Sequence, residues 1–348
     1  MAEAQLDAVV VASMPNIRYL TGFTGSSALV LVTAGAVALL TDFRYRAQSR
    51  SEVGDLARIE IESGGLWDKL LKLIPEHPGV ARVGYEIQHL SARDAQRLAD
   101  QSRPFKFVGT VDLVESLRAV KAPEEVAAIR RAGAAATQAL AEATAQVRPG
   151  LTEYEVAGIL EGALRRAGSE WYAFPTIVAS GPRSALPHAG TSGRVVAPGD
   201  FLLLDFGAIV DGYCSDVTRT FVVGAAPTAR QQEIHDLVRS AQRGALHGLR
   251  AGLTGRQGDA LARDVIAAAG QAEAFGHSLG HGLGLEVHEA PRLAKSAEDV
   301  LPAGAVVTVE PGVYLEDWGG VRIEDDVVLQ PGGAELLTEY PRELVRLG

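Results

Sequence analysis

The stretch Leu202-Leu203-Leu204-Asp205-Phe206-Gly207-Ala208, followed after two residues by Asp211-Gly212-Tyr213-Cys214-Ser215-Asp216-Val217-Thr218, decides how the centre of this chain folds. Asp-Gly between two apolar runs is a strong signal for a two-residue β-hairpin turn. With Asp211-Gly212 as that turn, Val210 faces Tyr213 and Asp205 faces Thr218. Asp216 then lies diagonally from Asp205 on the same face, at a spacing of about 7–8 Å from which side chains converge on one ligand. Strand interiors disfavour Asp, and two carboxylates facing each other repel. The pair therefore calls for a cation, either an Arg or Lys partner or a metal ion, unless it is simply exposed.

Further along, Gly276-His277-Ser278-Leu279-Gly280-His281-Gly282-Leu283-Gly284-Leu285-Glu286-Val287-His288 holds three of the chain's eight histidines. The flanking glycines permit close backbone approach to a ligand. Val306-Val307-Thr308-Val309-Glu310 ends a β-branched run on a glutamate, and Val321-Arg322-Ile323-Glu324 does so again. Four strand carboxylates with a histidine cluster make a donor set rich in oxygen with one or two nitrogens. Such a set suits two divalent ions, Mn²⁺ first, with Co²⁺, Zn²⁺ or Fe²⁺ compatible. Spacing alone leaves open which histidine would be a ligand. Gly276-x-Ser278-x-Gly280 imitates a serine-hydrolase elbow, but His288 follows too closely for the intervening acid that fold requires. Gly280-x-Gly282-x-Gly284 does not match the dinucleotide-binding pattern.

Around this centre the chain reads as two parts. Ala8–Ala12 is predicted to be a strand. Ala28–Val32 and Ala36–Leu40 form a predicted hairpin about Thr33-Ala34-Gly35. Leu66–Ile74 and Ala92–Gln101 have helical spacing, and Val83–Glu86 is a short strand. At Lys121-Ala122-Pro123-Glu124-Glu125 a long helix opens with Pro just inside its start and acids in its first turn. The boundary is placed between Asp112 and Pro123. Beyond it, Arg148-Pro149-Gly150-Leu151-Thr152 and Arg250-Ala251-Gly252-Leu253-Thr254 each introduce an N-cap threonine and an amphipathic helix. Two such copies point to a pseudo-symmetric α+β domain with a site between its halves.

Composition sets the wider limits. The net charge is −10 over 348 residues, which argues against nucleic acid or an anionic membrane as the main partner. Met1-Ala2-Glu3 lacks the basic start of a secretory signal. The Ala28–Leu40 stretch is too short to span a bilayer. The single cysteine, Cys214, fits a reducing cytoplasm and reads as a small buried strand residue.

Five segments in this order resemble the pita-bread metallopeptidases. They are Leu204-Asp205-Phe206-Gly207, Ser215-Asp216-Val217-Thr218-Arg219-Thr220, Gly280 to Glu289, Thr308-Val309-Glu310-Pro311-Gly312 and Arg322-Ile323-Glu324-Asp325. Asn16-Ile17-Arg18-Tyr19-Leu20-Thr21-Gly22-Phe23 and Thr41-Asp42-Phe43-Arg44-Tyr45 are similar to the creatinase-type N-terminal domain of that family's proline-specific branch, which includes Xaa-Pro dipeptidase and aminopeptidase P. The resemblance implies an α+β chain, with a creatinase-like α/β domain over 1–117 and a pseudo-two-fold pita-bread catalytic domain over 118–348. It implies that Asp205, Asp216, His281, Glu310 and Glu324 hold two metal ions, with Asp216 and Glu324 bridging them. It implies that Glu310 also shuttles a proton, and that His188 and His288 meet the substrate and stabilise the carbonyl as it becomes tetrahedral. His277, Tyr314 and Arg322 are expected near the substrate. A homodimer is expected from the same resemblance.

The peptide length accepted turns on one position. A dipeptidase needs a cation for the proline carboxylate, since burying that charge unpaired is costly. Arg292 matches a prolidase position with that role, although as a residue after Pro291 it reads equally as a surface charge. The resulting expectation is an Xaa-Pro dipeptidase. The alternatives are an Xaa-Pro aminopeptidase acting on longer peptides and a non-catalytic pita-bread module that binds peptides.

Overall fold

Strands buried on both faces read as unbroken apolar runs, and the N-terminal part of the chain is built on such strands. In the computed structural model, which describes residues 1, 4–100 and 104–348, the chain divides into two compact units, Met1–Arg118 and Ala119–Gly348. Ala2, Glu3 and the helix end read at Gln101 lie outside the described residues.

The first unit carries β1 (Ala8–Val11), β2 (Ala28–Thr33), β3 (Val37–Thr41), β4 (Arg58–Ile61), β5 (Arg82–Glu86) and β6 (Lys106–Thr110). They form one sheet in the order β4-β3-β2-β1-β5-β6. β1, β2 and β3 pair antiparallel, whereas β4, β5 and β6 join in parallel. Val9 and Val11 pack into one apolar cluster and Ala8 and Val10 into another, one on each face. Helices α1 (Met14–Thr21), α2 (Arg46–Val53), α3 (Leu66–Leu73), α4 (Ala92–Asp100) and α5 (Glu115–Arg118) complete the unit. The hairpin, α3 and α4 were expected from the sequence, whereas α1, α2 and α5 were not. Nor were β4 and β6, whose partly exposed residues lack a clear apolar pattern.

In the second unit α6 (Pro123–Thr144) begins with Pro at its first turn followed by Glu124 and Glu125. The two repeated segments become α7 (Glu153–Arg166) and, after α8 (Ala229–Gly248), α9 (Gly255–Ala268). Thr152 and Thr254 cap them through the same reciprocal box, with Glu155 and Gln257 reaching back. Each cap also bridges a later residue, Thr152 to Val195 and Thr254 to Val300. The repeat is thus a structural one.

Each helix pair covers one sheet. β7 (Ile177–Ser180), β8 (Phe201–Phe206), β11 (Val217–Val223) and β19 (Arg346–Leu347) form the first, in the order β19-β11-β8-β7; the short pair β9 (Ile209–Val210) and β10 (Tyr213–Cys214) extends its hairpin. The second sheet comprises β12 (Gly280–Gly282), β13 (Glu289–Leu293), β14 (Val306–Val309), β17 (Asp325–Gln330) and β18 (Gly333–Leu336), in the order β13-β12-β14-β17-β18. A separate hairpin, β15 (Gly312–Leu315) with β16 (Gly319–Arg322), lies between β14 and β17 in sequence. Helices α6 and α7 share one core with β8 and β11, and α8 and α9 share another with β14 and β17. No helix among the described residues is long and apolar enough to cross a membrane.

Candidate metal centre

Asp211 and Gly212 both adopt left-handed backbone, at φ 50° and 77°, as a two-residue hairpin turn of matching twist requires. The register follows from the turn: Val210 faces Tyr213, and Asp205 faces Thr218. Between these pairs the ladder is held by Ser215, whose N–H donates to Ala208 O at 2.9 Å and whose Oγ accepts from Ala208 N–H at 3.1 Å. A Cβ on Gly207 would stand 1.9 Å from Ser215 O, so the strands approach this closely only because residue 207 has no side chain. Cys214 is buried in β10, as read.

Three of the carboxylates expected in strands stand just outside them. Asp216 precedes β11, Glu310 follows β14 and Glu324 falls between β16 and β17. There the backbone leaves its own ladder and bonds elsewhere. Asp216 N–H donates to Asp326 Oδ2 at 3.0 Å, Glu310 N–H to Leu279 O at 2.9 Å and Glu324 N–H to Thr218 O at 3.1 Å. These cross-bonds bring the ends of both sheets together.

One donor atom each from Asp216, His281 and Glu324 lie within 4.8 Å of one another. His281 Nε2 is 3.8 Å from Asp216 Oδ2 and 3.4 Å from Glu310 Oε1. Its Nδ1 lies 3.1 Å from Gly282 O, so the proton belongs on Nδ1 and the Nε2 lone pair faces the carboxylates. Asp205 is outside that trio: Arg322 Nη2 donates to its Oδ2, while its Oδ1, like Asp216 Oδ1, is buried with no hydrogen-bond partner among the described residues. Burial, then Glu324 and Asp205, drives the Asp216 carboxyl well above its ordinary range. Burial, then Glu310 and Asp205, does the same to Glu324. Burial lifts Glu310 to about 8 against the opposing pull of Arg322. Crowded carboxylates with orphaned oxygens and an imidazole lone pair among them are a donor set short of positive charge. Divalent cations preferring oxygen and nitrogen fit it.

The remaining expected residues ring this centre. Arg322 is 3% exposed. It donates through Nε to Thr218 Oγ1 at 3.1 Å, through Nη1 to Pro187 O at 3.2 Å and Tyr314 OH at 2.7 Å, and through Nη2 to Asp205. Tyr314 OH in turn lies 2.9 Å from His277 Nε2, and His277 Nδ1 lies 2.8 Å from Ser278 O. With Nδ1–H given to that carbonyl, Nε2 accepts from the tyrosine. Burial first, then Arg322, lowers His277 to about 4 and keeps it neutral. The His288 ring lies 4.4 Å from that of His281, tilted by 58°. His188 is exposed on a loop, and its charge bears on both His277 and His288. Arg292 is exposed on β13, directly across the ladder from His281.

Residues 127–331 match Metallopeptidase family M24, and residues 1–120 match the creatinase/prolidase N-terminal domain. The chain belongs to metallopeptidase family M24. Within this family it is 36% identical to an Xaa-Pro dipeptidase of Pyrococcus horikoshii, over 99% of this chain and 96% of the relative. An Xaa-Pro dipeptidase structure from Bacillus anthracis superposes with a TM-score of 0.95 at 40% identity, covering 99% and 96% of the two chains. An X-Pro aminopeptidase structure from Thermotoga maritima gives 0.93 at 39% identity, covering 99% and 97%. The pita-bread metallopeptidase fold and the creatinase-type domain expected from the sequence are therefore correct.

Several supporting residues escaped the sequence reading. Thr218 Oγ1 donates to Glu324 Oε2 at 2.5 Å, and Thr308 Oγ1 donates to Glu310 Oε1 at 3.2 Å while accepting from His281 N–H at 3.1 Å. Hairpin register already put Thr218 opposite Asp205, and that placement is the signal that could have found it. Asp326, which holds the Asp216 amide, gave no local signal because its partner lies on a distant strand.

Proposed function

We propose that this metallopeptidase is an Xaa-Pro dipeptidase, hydrolysing the imide bond ahead of a C-terminal proline. The observation that carries the reading is Arg292, an exposed guanidinium across the ladder from His281. A cation at that distance from the donor cluster suits the free carboxylate of a two-residue substrate, because guanidinium and carboxylate pair in two parallel hydrogen bonds. Relatives named Xaa-Pro dipeptidase over nearly the whole chain length support it. Likeness to the Thermotoga maritima X-Pro aminopeptidase favours a second reading, cleavage of longer peptides. The gathering of Asp216, His281 and Glu324 within 4.8 Å, with Glu310 beside His281, favours a metal-dependent enzyme over a purely peptide-binding module.

Asp205, Asp216, His281, Glu310 and Glu324 would hold the two divalent ions. Once bound, those ions supply an activated water and polarise the scissile carbonyl. Glu310 would accept a proton from that water and deliver it to the proline nitrogen, which cannot leave as an anion. His188 and His288 would donate hydrogen bonds to the carbonyl oxygen as charge develops there. His277 would stay neutral and fixed by Tyr314, and Arg322 would hold Asp205 in place. Manganese is the proposed ion because the donors are mostly carboxylate oxygens. A homodimer in the cytoplasm completes the proposal.

The test is hydrolysis by the Mn²⁺-loaded protein of Xaa-Pro, Xaa-Pro-Yaa and non-proline peptides, with Arg292→Ala alongside. Xaa-Pro is the expected substrate, and Arg292→Ala should raise KM for dipeptides far more than for tripeptides. Ready cleavage of Xaa-Pro-Yaa with Xaa-Pro untouched would select the aminopeptidase instead.

A further inference from the structure

Glu153, the first residue of α7, is wholly buried and yet is not part of the donor cluster. Its two oxygens hold the two ends of one loop. Oε1 accepts from Ser180 N–H and Ser180 Oγ, both at 2.8 Å. Oε2 accepts from Ser192 N–H at 3.0 Å and from Ser192 Oγ at 2.6 Å. Arg183 lies between these ends, its Nε within 3.2 Å of both oxygens and its Nη2 on Gly190 O. The segment so enclosed, Ser180 to Ser192, carries His188 at its exposed face. On its far side Arg322 Nη1 takes Pro187 O, and Ser184 Oγ takes Gly320 N–H.

Hydrogen bonds to a carboxylate are shorter and stronger than those between neutral groups, so this one side chain ties both ends of the loop firmly. We infer that Glu153 is a positioning residue for His188: it closes the loop at its base, so that the imidazole meets the substrate from a fixed direction. The inference rests on the reading that His188 contacts substrate. Glu153 itself reaches neither the donor cluster nor the peptide. Its effect passes through the loop alone.

The same design recurs on the other half of the pseudo-symmetric unit. Asp259 on α9 accepts from Arg263 and from Leu279 N–H, and Arg263 donates to Phe275 O and His277 O. There too an acid on the second helix of the pair, joined to an arginine, fixes a loop bearing a histidine. The recurrence supports a positioning purpose over a merely local packing accident.

The experiment compares Glu153→Gln, His188→Ala and the double variant in the Mn²⁺-loaded enzyme. Glutamine keeps the shape but turns an amide nitrogen toward the Ser180 or Ser192 donors. The expected result is a fall in kcat/KM of about tenfold to a hundredfold, the scale of a reacting group displaced by about 1 Å. Metal content should be unchanged, and the double variant should be no worse than His188→Ala alone, because the two act as one unit. Amide hydrogen exchange should quicken across 181–192 and stay unchanged across 217–223. Should Glu153→Gln not fold, Ser192→Ala loosens one end of the same loop, and Ser192→Thr should restore the rate. Wild-type kinetics for Glu153→Gln or Ser192→Ala, or losses that multiply with His188→Ala, would overturn the inference. Wild-type kinetics for His188→Ala would instead overturn the substrate role of His188, and the inference with it.

Discussion

Gly207→Ala tests the argument that close strand approach builds the metal centre. The added Cβ would lie 1.9 Å from Ser215 O and 2.9 Å from the Ala173 Cβ, where real Cβ atoms keep at least 3.0 Å. The strands must therefore part by about 1 Å, since a packed interior has no slack to absorb the methyl. Ser215 cannot yield alone, because its N–H and Oγ are both bonded to Ala208. The displacement passes to Asp216, the next residue, and moves it away from His281 and Glu324. Ligand positions in a metal site tolerate only about 0.2 Å, so Mn²⁺ affinity should collapse and kcat/KM should fall by about a hundredfold or more. Overpacking should also cost about 1–3 kcal/mol of stability. Calorimetric titration with Mn²⁺, urea unfolding and dipeptide kinetics read the three effects. Gly158→Ala is the control: it lies on the exposed side of α7 with open space around it, and should stabilise the protein by up to about 1 kcal/mol. A Gly207→Ala protein that binds two ions with wild-type affinity would refute the reasoning.

Two further outcomes follow from buried charge. In the metal-free protein, Arg322→Met leaves Asp205 buried without its counter-charge and should cost about 3–5 kcal/mol in urea unfolding. Arg322→Lys should recover only part, because an ammonium cannot span Thr218, Pro187, Tyr314 and Asp205 together; full recovery would show that charge alone matters. His235 on α8 is lowered to about 4, mainly by burial, with Asp236 pulling weakly the other way. Its unfolded value is about 6.5, so the unfolded chain takes up a proton that the folded one refuses. Stability from this group is complete above about 6.5 and is lost as pH falls toward 4. His235→Gln should flatten the urea midpoint between pH 7 and pH 5 relative to wild type; parallel curves would contradict the assignment.

Hairpin register was legible because it depends on neighbours in sequence. Asp211-Gly212 specifies the turn, the turn specifies that Thr218 faces Asp205, and period-two alternation does the rest. The repeated Thr-capped helices were legible for the same reason, since caps are read within four residues. β4 and β6 were not legible, because their residues acquire their strand character from sheet partners far along the chain. Nor was the break in the ladder at Asp216, Glu310 and Glu324, which depends on backbone bonds to Asp326, Leu279 and Thr218.

By itself, the sequence determined a carboxylate hairpin, a later cluster of His and Glu, and a two-part chain whose second part is pseudo-symmetric. Local chemistry suffices for these, because turns, caps and periodicity act over a few residues. Only the tertiary structure decided how the donors stand. It gave His281 Nε2 to the carboxylates by tying Nδ1 to Gly282 O, paired Asp205 with Arg322, and closed the His188 loop on Glu153. The pairing of Asp205 with Arg322 and the closing of the His188 loop rest on groups far apart in sequence competing for the same buried hydrogen bonds. No pattern in one segment encodes the result of that competition.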